Sequence, residues 1–385
     1  MRHRLFQTFS LKHLDFILLA LVAALNGIGI AAIGSAEHDL QGKQMEGLIL
    51  GFVVAVFLSA LDYHRVIRFS WLYYAAAIFL LALVFTPLGV SRDEATRWIR
   101  IGIQIQPSEF AKILLILFYA KFIMTYRGRM KKYVWISLCL MLAVPPLLLI
   151  YEQPDLSTTI MVFILIAMIL FVSGLSYRLV TGILVITVPS VIVFINMVTQ
   201  EGSTLLNEYQ RGRILAWLHP EDYASTLAYQ TMNSIMAIGS GQLMGKGYNT
   251  NEISSVLNSG FISESQTDFI FTVIGEEFGF IGSSTVVILL MLIAIRCYFI
   301  ARAAKDTAGT VIATGVGTWI GFQGFMNIAV ATGILPNTGI PLPFVSYGLT
   351  SLLSLYIGVG FLLNVRMQSM QKTSKSEGIH FGGMT

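Results

Sequence analysis

Ser263-Glu-Ser-Gln-Thr-Asp268-Phe-Ile-Phe-Thr-Val-Ile-Gly-Glu276-Glu277-Phe-Gly-Phe-Ile-Gly282 leads into Val286-Val-Ile-Leu-Leu-Met291 and an apolar run that ends near Tyr298. A run of this length and composition reads as a membrane-spanning helix, because about 20 apolar residues cross the hydrocarbon core. Asp268 stands at its threshold, with water and lipid both within reach. Partial desolvation disfavours the charged form of a carboxylate so placed, which suits a general base or acid working near neutral pH. Glu276 and Glu277 fall two turns or more below Asp268 and read as structural groups, paired within the bundle or serving a partner interface.

The whole chain has the same character. Its 385 residues are 55% hydrophobic and 12% charged, whereas soluble domains carry about 25% charged residues. Ten apolar stretches, near 14–34, 47–61, 70–86, 107–124, 133–150, 156–173, 177–197, 268–299, 308–332 and 343–365, approach the length of a span. Lipid offers an exposed backbone no hydrogen-bond partner, so each stretch must be helical. The expected fold class is an all-α polytopic membrane protein of about ten transmembrane helices, a single domain over residues 1–385. The apolar stretch after the basic segment Met1–His13 is as long as the others and lacks a small-residue cleavage site, so it reads as a first span rather than a signal peptide. Cys139 and Cys297 lie in or beside apolar stretches and read as packing residues, offering neither a disulfide framework nor a metal site.

Orientation follows from the basic residues between the stretches. Seventeen of them, including Arg65, Arg68, Arg127, Arg129, Arg296, Arg302 and Arg366, fall on the connections that share a side with the termini, and seven fall on the alternate set. The positive-inside rule therefore puts both termini, including a tail of about 366–385, in the cytoplasm. A large extracytoplasmic loop of about 198–267 lies between spans 7 and 8. It contains Tyr209-Gln-Arg211-Gly-Arg213 and Ala237-Ile-Gly-Ser-Gly241-Gln-Leu-Met-Gly245-Lys246-Gly247. Glycines allow a backbone to approach an anion, and arginine forks or a lysine charge neutralise phosphate oxygens. The same residues also fit simple turns and headgroup-level arginines, and no nucleotide-binding fingerprint is present.

Three further constellations lie on the outer side. Gln106-Pro107-Ser-Glu109-Phe-Ala-Lys112 opens the fourth span, and Glu109 and Lys112 share a helix face. Two opposite charges in a membrane helix must pair or line a wet cavity, so a cavity is expected there. Glu152-Gln-Pro154-Asp155 opens the sixth span, where Asp155 is either a helix cap or part of a site. Leu335-Pro336-Asn-Thr-Gly339-Ile-Pro341-Leu-Pro343-Phe-Val-Ser346-Tyr-Gly348 carries three prolines in a rigid, non-helical connection. It reads equally as a structural cap or as the wall of a substrate site that includes Ser346. Charge on the outer rim points to an anionic, phosphate-bearing amphiphile and leaves enzyme and transporter both open. No nucleic-acid partner is implied.

Arg97-Trp98-Ile99 with Gln106-Pro107-Ser108-Glu109, Gln153-Pro154-Asp155, Tyr209-Gln210 with Arg213, Ala237-Ile238-Gly239-Ser240-Gly241, Thr267-Asp268-Phe269-Ile270-Phe271 with Glu276-Glu277, and Gly339-Ile340-Pro341-Leu342-Pro343-Phe344 with Ser346-Tyr347-Gly348 closely resemble the SEDS proteins (shape, elongation, division and sporulation). The resemblance runs the length of the chain. Ser157, Asn233, Gln242 and Leu349-Thr350 depart from the family's usual residues without removing an ionisable group.

The resemblance implies a peptidoglycan glycosyltransferase that polymerises lipid II, an undecaprenyl-pyrophosphate-linked disaccharide pentapeptide, at the outer face of the bacterial cytoplasmic membrane. Asp268 matches the family's essential aspartate and is the expected base. Arg211, Arg213, Lys112 and Lys246 are the candidates for the phosphates, and Glu109, Asp155 and Ser346 complete the expected substrate site. A divalent cation can share the phosphate role, but no residue spacing identifies one. The expected partner is a class B penicillin-binding protein. The rival reading is a lipid II flippase or transporter; intramembrane charges gathered on the outer side favour the enzyme. Between the elongation (RodA-like) and division (FtsW-like) branches, the short tails lean to the former.

Overall fold

The computed structural model describes residues 13–92, 95–129, 133–175, 177–200, 205–206, 208–249, 262 and 264–381. In chain order the helices are α1 (Phe16–Ala36), α2 (His38–Ala60), α3 (Tyr63–Val66), α4 (Ser70–Leu83), α5 (Pro107–Tyr126), α6 (Tyr133–Tyr151), α7 (Leu156–Val172), α8 (Tyr177–Thr199), α9 (Glu208–Leu218), α10 (Tyr229–Ser240), α11 (Ile270–Ala303), α12 (Thr307–Ala331) and α13 (Leu349–Phe381). Each of the ten apolar stretches corresponds to a long helix. Among the described residues six helical segments are long and apolar enough to cross a membrane on their own composition. The protein is a polytopic, predominantly helical membrane protein.

The helix ends are set by local chemistry. Asp15, Asp155 and Asp306 cap α1, α7 and α12, each carboxylate accepting a hydrogen bond from the backbone N–H three residues on. Pro107 occupies the first turn of α5, where its missing N–H costs nothing. α11 is broken at Gly279, whose φ of 62° and ψ of −156° divide it into a short first segment and a long second one. α12 is central: it packs on α11, α5, α7 and α13, and its buried residues include Val311, Ile312, Val316, Trp319, Ile320 and Gln323.

Two features depart from the sequence expectations. The chain is not wholly helical, because the connection before α5 folds as an antiparallel sheet of β1 (Gly89–Arg92), β2 (Ala95–Ile101) and β3 (Ile103–Ile105). Val90 pairs with Trp98, and Ile99 with Ile105. The β-branched alternation in Ile99-Arg-Ile-Gly-Ile-Gln-Ile carries that signal, but it is too short to compete with the helical stretches around it. Second, the large loop contains two helices. α10 is pinned by Ser234, whose hydroxyl meets Thr272 Oγ1 at 2.5 Å and donates to the Ala331 carbonyl at 2.7 Å.

Gly241 and Gly245, beyond α10, are packing positions. A Cβ on Gly241 would lie 2.0 Å from the Gly275 carbonyl oxygen, and one on Gly245 would lie 2.0 Å from that of Glu277. Gly245 also has a φ of +80°, open to glycine at little cost. The contact fastens the loop's return to the first segment of α11, with Lys246 N and Gly247 N donating to the carbonyls of Glu276 and Glu277. Cys139 and Cys297 are both free and buried in the core.

Candidate active site

A cavity of about 730 Å³ opens between α2, the sheet, α9, the segment leading into α11 and the proline-rich connection after α12. Its walls include Lys43, Glu46, Arg97, Tyr209, Arg213, Glu264, Asp268, Gly339 and Tyr347. Asp268 is half-buried, just before the first turn of α11. Gly339, at a φ of +69°, faces it so closely that a Cβ there would lie 3.2 Å from Asp268 Oδ2 and 3.8 Å from an Arg97 guanidinium nitrogen. Carboxylate and guanidinium thus converge on one point, and only glycine leaves that point open.

The cations come from two elements. Arg97, on β2, donates to the Pro154 carbonyl at 2.5 Å, and its Nε lies 3.9 Å from Asp155 Oδ2. Arg213, on α9, donates to the Asn337 carbonyl at 3.1 Å and stacks over the Tyr209 ring at 4.4 Å. Burial pushes the Arg213 guanidinium below its ordinary pKa, and Arg97 adds repulsion, while Tyr209, Asp268 and Asp155 oppose the shift. A half-desolvated guanidinium whose fork is partly occupied by backbone carbonyls still presents strong charge to an anion in the cavity.

What holds Asp268 in place is backbone chemistry. Asn327 Nδ2, on α12, donates to the Asp268 carbonyl at 2.7 Å and to the Ile340 carbonyl at 2.8 Å. One turn earlier, Gln323 Nε2 donates to the Pro341 carbonyl at 3.0 Å. Ser346 Oγ donates to the Thr267 carbonyl at 2.6 Å and accepts from Leu342 N at 2.7 Å, and Tyr347 N donates to the Gln266 carbonyl at 2.9 Å. The proline-rich connection and the segment before α11 are therefore one hydrogen-bonded unit. Gln323 and Asn327 carried a sequence signal that went unused: two amides four residues apart in an otherwise apolar helix.

Glu109 and Lys112 pair beneath the cavity instead of lining it. Lys112 Nζ donates to Glu109 Oε1 at 2.7 Å and to Gln323 Oε1 at 2.8 Å, and lies 4.7 Å from the Trp319 ring centroid. Both side chains are at most 4% exposed, too deep for free contact with a solvated ligand. A cavity lies above them, faced by Gln106, the N-cap of α5, and by Phe110.

Of the other sequence candidates, Asp155 caps α7 through Thr158 N at 3.0 Å and Thr158 Oγ1 at 2.9 Å. Arg211 donates to the carbonyls of Val198 and Gln200, tying α9 back to the end of α8. Lys246 pairs with the fully buried Glu276 at 2.8 Å. Glu277 accepts from Ser35 Oγ and from Asn249 N. The structure thus brings Asp268 and Arg213 into the cavity, and Ser346 to its supporting wall. Lys43, Glu46, Arg97 and Glu264 join the site. Arg97 was visible in its motif and among the rim charges, but no spacing linked it to Asp268.

Ionic groups are not confined to the outer side, as the sequence suggested. At the opposite end Asp15 meets Arg296 at 2.9 Å, and His64 bridges Asp62 and Asp306 at 3.0 and 2.5 Å. Along α12, from Asp306 to Gln323, the two polar levels stand roughly 25 Å apart at about 1.5 Å per residue. Val311, Ile312, Ala313, Val316 and Ile320 are buried between them.

The sequence matches the FtsW/RodA/SpoVE family model, described as cell cycle protein, over residues 5–371. It is 34% identical over 360 residues to the peptidoglycan glycosyltransferase MrdB of Escherichia coli K12, covering 92% of this chain and 93% of that one. It is 30% identical over 375 residues to the probable peptidoglycan glycosyltransferase FtsW of Geobacter metallireducens, with 92% and 95% covered. Among solved structures, a chain from a peptidoglycan synthase complex that coordinates polymerization and crosslinking superposes with a TM-score of 0.76 at 30% identity, covering 93% of this chain and 99% of that one. The rod shape determining protein RodA of Thermus thermophilus superposes with a TM-score of 0.67 at 28% identity, covering 92% and 97%.

The buried pair sets a double-mutant cycle. Glu109→Gln or Lys112→Met alone leaves a buried charge without its partner and should cost about 3–5 kcal/mol. The double variant should cost clearly less than the sum of the two. Thermal unfolding of the purified proteins in detergent measures both; additive losses would show that the two groups do not act as a pair.

Proposed function

The chain belongs to the FtsW/RodA/SpoVE family, and from that membership we propose that it polymerises lipid II at the outer face of the cytoplasmic membrane, with Asp268 as the base. It is a peptidoglycan glycosyltransferase and a multi-pass membrane protein. The observation that carries the mechanistic reading is the convergence of Asp268 and Arg97 on Gly339 within a cavity that Arg213 and Lys43 also line.

The C4 hydroxyl of one lipid-linked disaccharide attacks the anomeric carbon of another. A new C–O bond forms, the bond from that carbon to the diphosphate breaks with inversion, and the hydroxyl proton passes to Asp268. Charge grows on the departing diphosphate, so stabilisation falls to the cations of the same cavity, Arg213, Arg97 and Lys43. Lys112, Lys246 and Arg211 are engaged elsewhere and serve structure. Among the described residues no three His, Cys, Asp or Glu side chains cluster as metal ligands. The apolar interval along α12 between the two polar levels supports bond formation at one face over passage of a charged headgroup through the bundle. A class B penicillin-binding protein is the proposed partner, in keeping with the synthase complex in which the similar chain was solved.

Asp268→Asn keeps the shape of the side chain and removes the basic oxygen. With purified protein and lipid II, polymer formation should fall about 10²–10⁴-fold while the melting temperature hardly moves. Near-normal polymer from a well-folded variant would remove Asp268 as the base. The proposed orientation has its own test in intact spheroplasts. A cysteine at Ser225 should react with a membrane-impermeant thiol reagent, and one at Gly128 only after the membrane is opened; the reverse pattern would overturn it.

A further inference from the structure

The end of the bundle opposite the catalytic cavity carries a second, separate site. The last turns of α11 and the middle of α13 border an open pocket of about 510 Å³ lined by Arg296, Phe299, Ile300, Arg302, Ala303 and Arg366. Asp15, fully buried at the start of α1, accepts from Arg296 Nε at 2.9–3.0 Å and lies 3.8 Å from Arg366 Nε. One carboxylate thus meets two guanidiniums, and with Arg302 the pocket wall carries an excess of positive charge. Asp15 holds Arg296 in position, whereas Arg302 is exposed and makes no ion pair among the described residues.

The remaining walls, Phe299, Ile300 and Ala303, are apolar. Phe299 and its neighbour Tyr298 are 50% and 62% exposed on a helix that crosses the membrane, so the pocket opens where lipid begins. Guanidinium forks match phosphate oxygens, and apolar walls match the glycerol and upper acyl carbons attached to them. The carbonyl end of α11 disfavours an anion, but that effect is confined to its last turn, and Arg296 and Arg366 lie outside it.

We propose that this pocket holds the phosphodiester headgroup of an anionic phospholipid from the leaflet on the side of the chain termini. Basic pockets between membrane helices recognise such headgroups in this way. The proposal is independent of Asp268, and the proposed orientation decides only which leaflet supplies the lipid. Soluble phosphate shares the charge but not the apolar contacts.

Native mass spectrometry of the purified full-length protein separates these possibilities. Phosphatidylglycerol should be retained over phosphatidylcholine of the same acyl chains, and excess inorganic phosphate should not displace it. Arg302→Ala, which breaks no ion pair among the described residues, should weaken phosphatidylglycerol binding about fivefold, and Arg302→Ala with Arg366→Gln on the order of tenfold or more. Asp268→Asn should bind it as the wild type does. Equal retention of the two lipids, undiminished binding in both arginine variants, or displacement by phosphate at matched concentration would each overturn the proposal.

Discussion

A backbone that leaves helical form at membrane depth must find partners for its N–H and C=O groups, and the cavity end of this protein is built around that requirement. The connection from Leu335 to Gly348 closes one turn on itself, at Leu342–Ser346, but its three prolines break any ladder. α12 supplies the partners. Asn327 bridges the carbonyls of Ile340 and Asp268, and Gln323 takes that of Pro341. Two amides on a single helix face thus satisfy the loop, and one of them, Asn327, holds the backbone of Asp268 in the same act.

Those amides are oriented from below. Gln323 offers its Oε1 to Lys112 at 2.8 Å and to Trp319 Nε1 at 2.7 Å, which turns its NH₂ toward Pro341. Lys112 in turn rests on Glu109, to which Ser354 of α13 also donates, at 3.4 Å. A chain of charge-assisted contacts therefore runs from α5 and α13 through α12 to the rim of the cavity. In a low-dielectric interior such contacts are strong when complete and costly when broken, which favours one arrangement of the site over looser ones.

Much of this was legible in the sequence, for physical reasons. Lipid permits few backbone solutions, so ten apolar stretches read as ten helices, and the position of Asp268 at the start of the eighth marked it before any contact was known. The expectations that missed share a cause. Lys112, Lys246 and Arg211 were candidates for phosphate because sequence shows that a charge is present but not what it faces, and here they face Glu109, Glu276 and the carbonyls of Val198 and Gln200. The glycines at 241 and 245 could mean an anion cradle or a close approach of two backbones, and only the packing against α11 separates the two. The small sheet brings Arg97 to Gly339, which Asp268 also faces, a non-local arrangement with no local periodicity to announce it.

The claim on which the rest depends is that Asn327 positions Asp268 rather than merely filling space. Steady-state polymerisation kinetics of Asn327→Ala, with its melting temperature measured alongside, test it most directly. The account predicts a folded protein whose kcat falls on the order of 10²-fold with little change in KM, since a small displacement of the base costs rate rather than binding. A folded variant with wild-type kcat would contradict it.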